Sequence, residues 1–254
     1  MKLYRLIPDI YVPNFQPLIY IKSIDSLVAA DLHLGIEGAL EKEGVFLPIN
    51  VSAKIIETFK HVVEDVKPNR IIFLGDVKHE FGFPNPAEWI NVKKMFEWIL
   101  GRNLGIEVVR GNHDNYLIAI LRRYGIKLHQ EHLIIEKYSF THGHLPFDIE
   151  KLSDVVFIGH EHPSVRISDE AGVTHKFKCF LVGDYKGKKL ILLPSFNELA
   201  VGTDVNLVDK NDFLSPILRE VKLEEFNPYL IYPGHGIEKF PKLRFLLQTW
   251  MGEF

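Results

Sequence analysis

The chain has 254 residues, 46% hydrophobic and 25% charged, and its 30 Lys and Arg against 33 Asp and Glu leave a formal charge of −3. This is ordinary globular composition, which excludes disordered and fibrous classes, and the length can bury a core without disulfides or a structural metal. A mildly acidic balance provides no global electrostatic footprint for duplex nucleic acid, so any such contact must use a local groove.

The single cysteine, Cys179, excludes a disulfide framework and any multi-thiolate zinc or iron–sulfur site, and it suits a reducing cytosol. The uncharged run over residues 10–21 is broken by Pro13 and Pro17 and is too short to span a bilayer. The amino terminus, with Lys2, Arg5 and Asp9, lacks the apolar stretch of a signal peptide. The expectation is a soluble cytoplasmic protein without membrane contact, organised as one domain over residues 1–254.

In chain order, residues 26–30 form a short apolar run of buried-strand type, and residues 70–74 and 106–109 look the same. Between them lie helices. Ile55, Phe59, Val62, Val63 and Val66 make one apolar stripe, with Asn50 as N-cap and Pro68 as the stop. Val92, Met95, Phe96, Ile99 and Leu100 make a second, ended by Gly101. Two crossovers between three such strands give a β-α-β-α-β unit with a parallel sheet. After Gly125 the pattern changes to short strands over 133–141, 154–158, 177–182 and 189–193. An α/β architecture of two packed mixed β-sheets flanked by helices accommodates both halves.

Each strand of the first half ends on metal-ligand residue types: Asp31-Leu32-His33, then Gly75-Asp76, then Gly111-Asn112-His113-Asp114. The second half continues with Thr141-His142-Gly143-His144 and Gly159-His160-Glu161-His162, again behind apolar runs. Sites in open α/β sheets form at the carboxyl ends of strands, so five segments are expected to converge on one rim. Asp31/His33 and His160/His162 are i, i+2 pairs, which in extended backbone point to the same side and can grip one ion or two adjacent ions. Carboxylate, imidazole and amide oxygen without thiolate favour Mn²⁺, Fe²⁺ or Zn²⁺ over Ca²⁺ and Mg²⁺. Seven side chains exceed the needs of one ion. Two ions bridged by one carboxylate would use them all and clamp a displacement at phosphorus, with Asp76 as the bridging candidate.

The ordered series D-x-H, G-D, G-N-H-D, H and G-H-x-H resembles the calcineurin-like metallophosphoesterase superfamily. Asp31-Leu32-His33-Leu34-Gly35-Ile36-Glu37, Gly75-Asp76-Val77-Lys78-His79-Glu80-Phe81 and Leu193-Pro194-Ser195-Phe196-Asn197 further resemble archaeal SbcD-related phosphoesterases and bacterial ligase-associated phosphoesterases. The resemblance implies a metallophosphoesterase β-sandwich and two divalent metals, Mn²⁺ foremost with Fe²⁺ or Zn²⁺ as alternatives. Carried onto matching positions, one ion takes Asp31, His33, Asp76 and His162, and the other takes Asp76, Asn112, His142 and His160. His113 becomes the acid, oriented by Asp114. Glu161 departs from the small polar residue of many relatives and is expected near the mouth of the site, where it would disfavour highly anionic substrates. The length is expected to leave no room for the capping domain of larger repair nucleases.

The implied function is a dimetal phosphoesterase acting on phosphodiesters, with nucleic acid as a candidate substrate. The alternatives are a small-molecule phosphatase, a cyclic nucleotide phosphodiesterase, or a phosphoesterase-fold scaffold without chemistry. His79, Glu80 and His144 flank the motifs without matching a ligand position and are divided between substrate contact and supporting roles. His61, His129, His132 and His175 are expected to be uninvolved, Pro233-Gly234-His235-Gly236 to be a turn, and Cys179 to be packed. The tail, with Phe245, Leu246, Leu247, Trp250 and Phe254, is expected to dock the chain terminus or to serve a homodimer or other partner.

Overall fold

A computed structural model describes residues 1–47, 50–169 and 171–246. Strands β1 (Leu3–Ile7), β2 (Ile10–Pro13) and β3 (Leu18–Ile21) form an antiparallel meander that leads into β4 (Ser26–Ala29). Strands β5 (Arg70–Leu74), β6 (Gly105–Val109) and the short β7 (Leu128–His129) then add in parallel. Of these four parallel strands, β4, β5 and β6 with their crossovers match the expected unit, and β7 is an addition to it. The meander was not expected, because its four- and five-residue strands are joined by turns at Asp9, Asn14 and Asp25 that carry positive φ without glycine.

The crossovers are α1 (Ile36–Lys42), α2 (Val51–Val66) and α3 (Pro86–Leu100), followed by α4 (Ile118–Arg123). Asn50 caps α2 by accepting from Ala53 N at 2.8 Å, and Asn85 caps α3 by accepting from Glu88 N at 2.8 Å. The apolar faces of α2 and α3 meet the first sheet at Phe59, Phe73 and Phe96, with the Phe59 and Phe73 rings stacked 5.7 Å apart.

The second sheet contains β8 (His132–Ile135), β9 (Tyr138–Thr141), β10 (Val155–Ile158), β11 (Ser164–Ser168), β12 (Thr174–Tyr185), β13 (Lys188–Leu192), β14 (Asn227–Tyr232) and β15 (Gly236–Lys239). Its order is β15-β14-β12-β13-β10-β9-β8, with β11 pairing the first half of β12. The run expected as one strand over 133–141 is a hairpin of β8 and β9, turned at Glu136 with φ +53°. Pro233–Gly236 is the turn the sequence suggested, joining β14 to β15.

The sheets pack face to face through Val28, Ile72, Phe140, Phe157 and Phe180. Burying each such side chain contributes roughly 1.5–3 kcal/mol relative to leaving it exposed to water. The outer face of the second sheet is covered by single 3-10 turns, among them Pro216–Arg219 and Leu223–Glu225, and by Phe226 rather than by long helices. Among the described residues no helix is long and apolar enough to cross a membrane. Parallel β4, β5 and β6 end on the same rim as parallel β9 and β10, where His142 Nδ1 is hydrogen-bonded to the Leu74 carbonyl and His160 N donates to Asp31 Oδ2 across the sandwich.

Candidate metal centre

The residues at this rim leave the strands on backbone that ordinary side chains avoid. Asp31, His33, Asp76, His160 and His162 have φ of +56°, +43°, +50°, +66° and +49°. Each such residue costs on the order of 1–3 kcal/mol and persists only where its surroundings fix it. The i, i+2 pairs are therefore not extended, as the sequence argument supposed. His160 and His162 diverge: the first joins Asp76 and His142, the second joins Asp31 and His33, and within each set the ligand atoms lie within 4.8 Å of one another.

In the first set, Asp31 Oδ1 is 3.1 Å from His162 Nε2, and His33 Nε2 is 3.4 Å from His162 Nε2. In the second, Asp76 Oδ2 is 3.3 Å from His142 Nε2, and Asn112 Oδ1 is 3.1 Å from the same nitrogen. Asp76 Oδ2 also lies 3.9 Å from His33 Nε2, so this carboxylate faces both sets. Glycine is required here by close approach. A Cβ on Gly111 would fall 2.1 Å from Asp76 Oδ1, and one on Gly75 would fall 2.2 Å from His142 Nδ1.

Asp31 and Asp76 are 0% and 1% exposed. Burial favours their neutral forms, but His162 and His142 beside them outweigh it and hold both carboxyls below the usual range. Burial also opposes charge on His142, yet Asp76, Asp31 and the Leu74 carbonyl hold it up to about 10. Burial pushes His33 down to about 3 against the pull of Asp76 and Asp31, and burial with His142 pushes His160 down to about 4. Two buried carboxylates thus draw positive charge, carried on His142 when no ion is bound, to a pocket whose remaining donors are imidazoles and one amide oxygen. That donor set fits divalent transition-metal ions.

His113 N donates to Asp76 Oδ1 at 2.9 Å, and His113 Nε2 stands 3.9 Å from Asp76 Oδ2. Its Nδ1 is hydrogen-bonded to the His79 carbonyl, so the carbonyl, not Asp114, orients the ring. Asp114 instead accepts from Asp76 N at 2.8 Å, Gly111 N at 2.9 Å and Val77 N at 3.1 Å. Its short side chain points back under the loops, and so it fixes backbone rather than imidazole. His79 was not matched to a ligand position by sequence, yet it forms a further cluster with His33 and His113. His79 Nδ1 lies 3.3 Å from His33 Nδ1.

Glu161 is also differently placed than expected. It is 1% exposed and turned away from the mouth, accepting from Thr203 Oγ1 at 2.7 Å and from Ser215 N at 2.9 Å. Asn197 Nδ2 donates to the Leu32 and His33 carbonyls at 2.9 and 3.2 Å, and Ser195 Oγ donates to the Asp31 carbonyl at 2.8 Å. Glu88 Oε1 accepts from His79 N and Glu80 N at 2.7 and 2.8 Å. Of these, Ser195 and Asn197 had a signal in the sequence, the Leu193–Asn197 motif. Glu88, inside a helix, had none.

His144 lies beside His142 and His160, with ring centroids 5.2 and 6.0 Å away. His129 pairs with Glu107 at 2.7 Å and His175 with Asp169 at 3.2 Å, and neither belongs to the ligand clusters found among the described residues. Cys179 is fully buried, and burial pushes its thiol well above the ordinary range. Leu246 packs against the outer core of the second sheet, while Leu247, Trp250 and Phe254 lie outside the described residues.

Residues 26–235 match the calcineurin-like phosphoesterase family, and the chain belongs to it. Among solved structures, the nuclease MPE of Pseudomonas putida is 19% identical, with a TM-score of 0.65 over 94% of this chain and 99% of that one. YfcE, a phosphoesterase from E. coli, is 18% identical, with a TM-score of 0.42 over 85% of this chain and 98% of that one. No curated protein matches the chain.

Proposed function

We propose that this chain is a dimetal phosphoesterase that uses Mn²⁺ and hydrolyses phosphodiesters, with nucleic acid as its substrate class. The observation that carries the reading is the pair of adjoining ligand sets, Asp31–His33–His162 and Asp76–His142–His160, with Asp76 facing both. Asp31, His33, His162 and Asp76 would hold one ion, and Asp76, Asn112, His142 and His160 the other. Two divalent ions held there supply positive charge to the phosphoryl oxygens and lower the pKa of water. The imidazole-rich donor set favours Mn²⁺, Fe²⁺ or Zn²⁺ over Mg²⁺.

His113 performs the remaining proton transfer. With Nδ1 engaged on the His79 carbonyl, Nε2 is the atom that gains and gives up a proton at the leaving oxygen. Asp114 keeps Gly111, Asp76 and Val77 in register, so the acid and the bridging carboxylate move as one unit. The fold shared with a nuclease supports nucleic acid over small phosphomonoesters. A buried free thiol agrees with a cytosolic location.

The test is a Mn²⁺ assay on activated mono- and diesters, cyclic nucleotides, and single- and double-stranded DNA and RNA, repeated in chelator. Hydrolysis of diesters and strands that stops in chelator is expected. Full activity in chelator would remove the dimetal reading, cleavage of small esters alone would move the substrate class to small molecules, and no turnover of any ester would leave a scaffold.

A further inference from the structure

Phe81 and Phe83 follow the loop after β5, and Tyr116 follows the loop after β6. These rings are 57%, 81% and 45% exposed, and they fall in two ring pairs beside the metal-ligand loops. The Phe81 ring stacks on the imidazole of His113 with centroids 3.7 Å apart and planes 29° apart. Phe83 and Tyr116 lie 5.2 Å apart at 50°. The base of the loop is fixed by Glu88, which accepts from His79 N and Glu80 N, and by Lys78, whose ammonium is hydrogen-bonded to the Glu80 carbonyl. Phe81 and Phe83 are thus exposed on an anchored segment.

We infer that Phe81, Phe83 and Tyr116 form a shelf that stacks the nucleobase of the leaving nucleoside in an unpaired strand. This rests on the phosphoesterase reading and on His113 as the acid. If His113 protonates the leaving oxygen, the group carried by that oxygen is delivered next to the Phe81 ring stacked on the same imidazole. A nucleobase presents a flat π-face to such a surface, and base–aromatic stacking tolerates every base. Neither phenylalanine has a hydrogen-bonding group to read base edges and Tyr116 offers a single hydroxyl, so the shelf selects chiefly for an exposed base and little for sequence. A base in a duplex has both faces covered and must unstack before it can reach the shelf.

The test compares hydrolysis of an oligothymidylate with that of an abasic strand of equal length, both with Mn²⁺. The unsubstituted protein should favour the base-bearing strand by roughly 5- to 100-fold in kcat/KM, the range that stacking of one base supplies. Phe81→Ala, alone and with Phe83→Ala, should bring that ratio toward one, and Phe81→Trp should retain it. A methylphosphonate-linked 2-aminopurine dinucleotide, which is not cut, reports stacking directly by fluorescence quenching that Phe81→Ala should relieve. A ratio near one in the unsubstituted protein, or one unchanged in Phe81→Ala, overturns the shelf. If no phosphoester is hydrolysed at all, the phosphoesterase reading falls, and the quenching alone then decides whether the shelf exists.

Discussion

The two ligand sets have the same composition, one carboxylate and two imidazoles each, and differ in the charge that one imidazole carries. In Asp31–His33–His162, His33 is pushed down to about 3, chiefly by burial. In Asp76–His142–His160, burial is overcome at His142, which is held up to about 10 by Asp76 and Asp31. The cause is position: His142 stands between the carboxylates, with Nδ1 3.7 Å from Asp31 Oδ1 and Nε2 3.3 Å from Asp76 Oδ2. Without an ion, the protein keeps its compensating charge on His142. An ion entering the second set must displace a proton, whereas an ion entering the first meets an imidazole that is already neutral.

The largest expected effect breaks the comparison at its shared member. Asp76→Asn removes the carboxylate that faces both sets, and activity should fall by about 10³-fold or more, further than in His33→Ala or His160→Ala. Bound metal, measured by elemental analysis, should fall at both sets. Equal losses in Asp76→Asn and His33→Ala would count against the bridge. His113→Ala should cost on the order of 10² to 10⁴ in rate on sugar phosphoesters and much less on nitrophenyl esters, whose leaving oxygen needs no proton. Equal losses on both ester classes at full metal content would withdraw the acid role.

Proton release sharpens the contrast between the sets. His142 rises from 6.5 to about 10 on folding, so its contribution to the stability of the ion-free fold is full below pH 6.5 and lost as pH rises through about 10. Chelated protein should melt at lower temperature as pH is raised over that window. Ion binding at the second set should release the His142 proton and tighten about tenfold per pH unit below 10, whereas His33 in the first, pushed down to about 3, has no proton to release near neutrality. Calorimetric titration in buffers of different ionisation enthalpy distinguishes the two, and identical proton release at both sets would contradict the assignment.

Much of this centre was legible because each ligand follows an apolar strand run, as Asp76 follows residues 70–74 and His160 follows residues 155–158. Spacing alone could not show how His160 and His162 divide. Their split depends on positive φ at both residues, and no feature of a histidine in sequence announces that backbone. The bracing by Glu88 and Asp114 was hidden for another reason. Their partners are backbone N–H groups of separate segments, and such bonds leave no periodic pattern. The β8–β9 hairpin escaped for want of turn residues, since Glu136 and Lys137 carry none of the usual glycine, asparagine or proline signals.

The smallest predicted effect compares the braces of the two halves of the rim. Asp114 is fully buried, and burial together with Asp76 pushes it up to about 6, which still leaves it ionised at neutral pH. As a carboxylate it accepts from three backbone N–H groups, those of Asp76, Gly111 and Val77. In Asp114→Asn one of its two acceptor atoms becomes an amide donor facing a donor, so at least one buried N–H loses its partner at a cost of about 1–3 kcal/mol. Glu161 has lighter duty on the other half, one bond to a hydroxyl and one to Ser215 N. In Glu161→Gln the amide oxygen can keep Ser215 N while the Thr203 hydroxyl rotates to accept, so the cost should stay below about 1 kcal/mol. Denaturant unfolding of the two variants in chelator measures both numbers. Asp114→Asn should also weaken the second ion more than the first, because Asp76 and Asn112 flank the N–H groups it loses. Equal destabilisation by the two substitutions would show that the carboxylate under the β5 and β6 loops is no more than an ordinary buried hydrogen-bond acceptor.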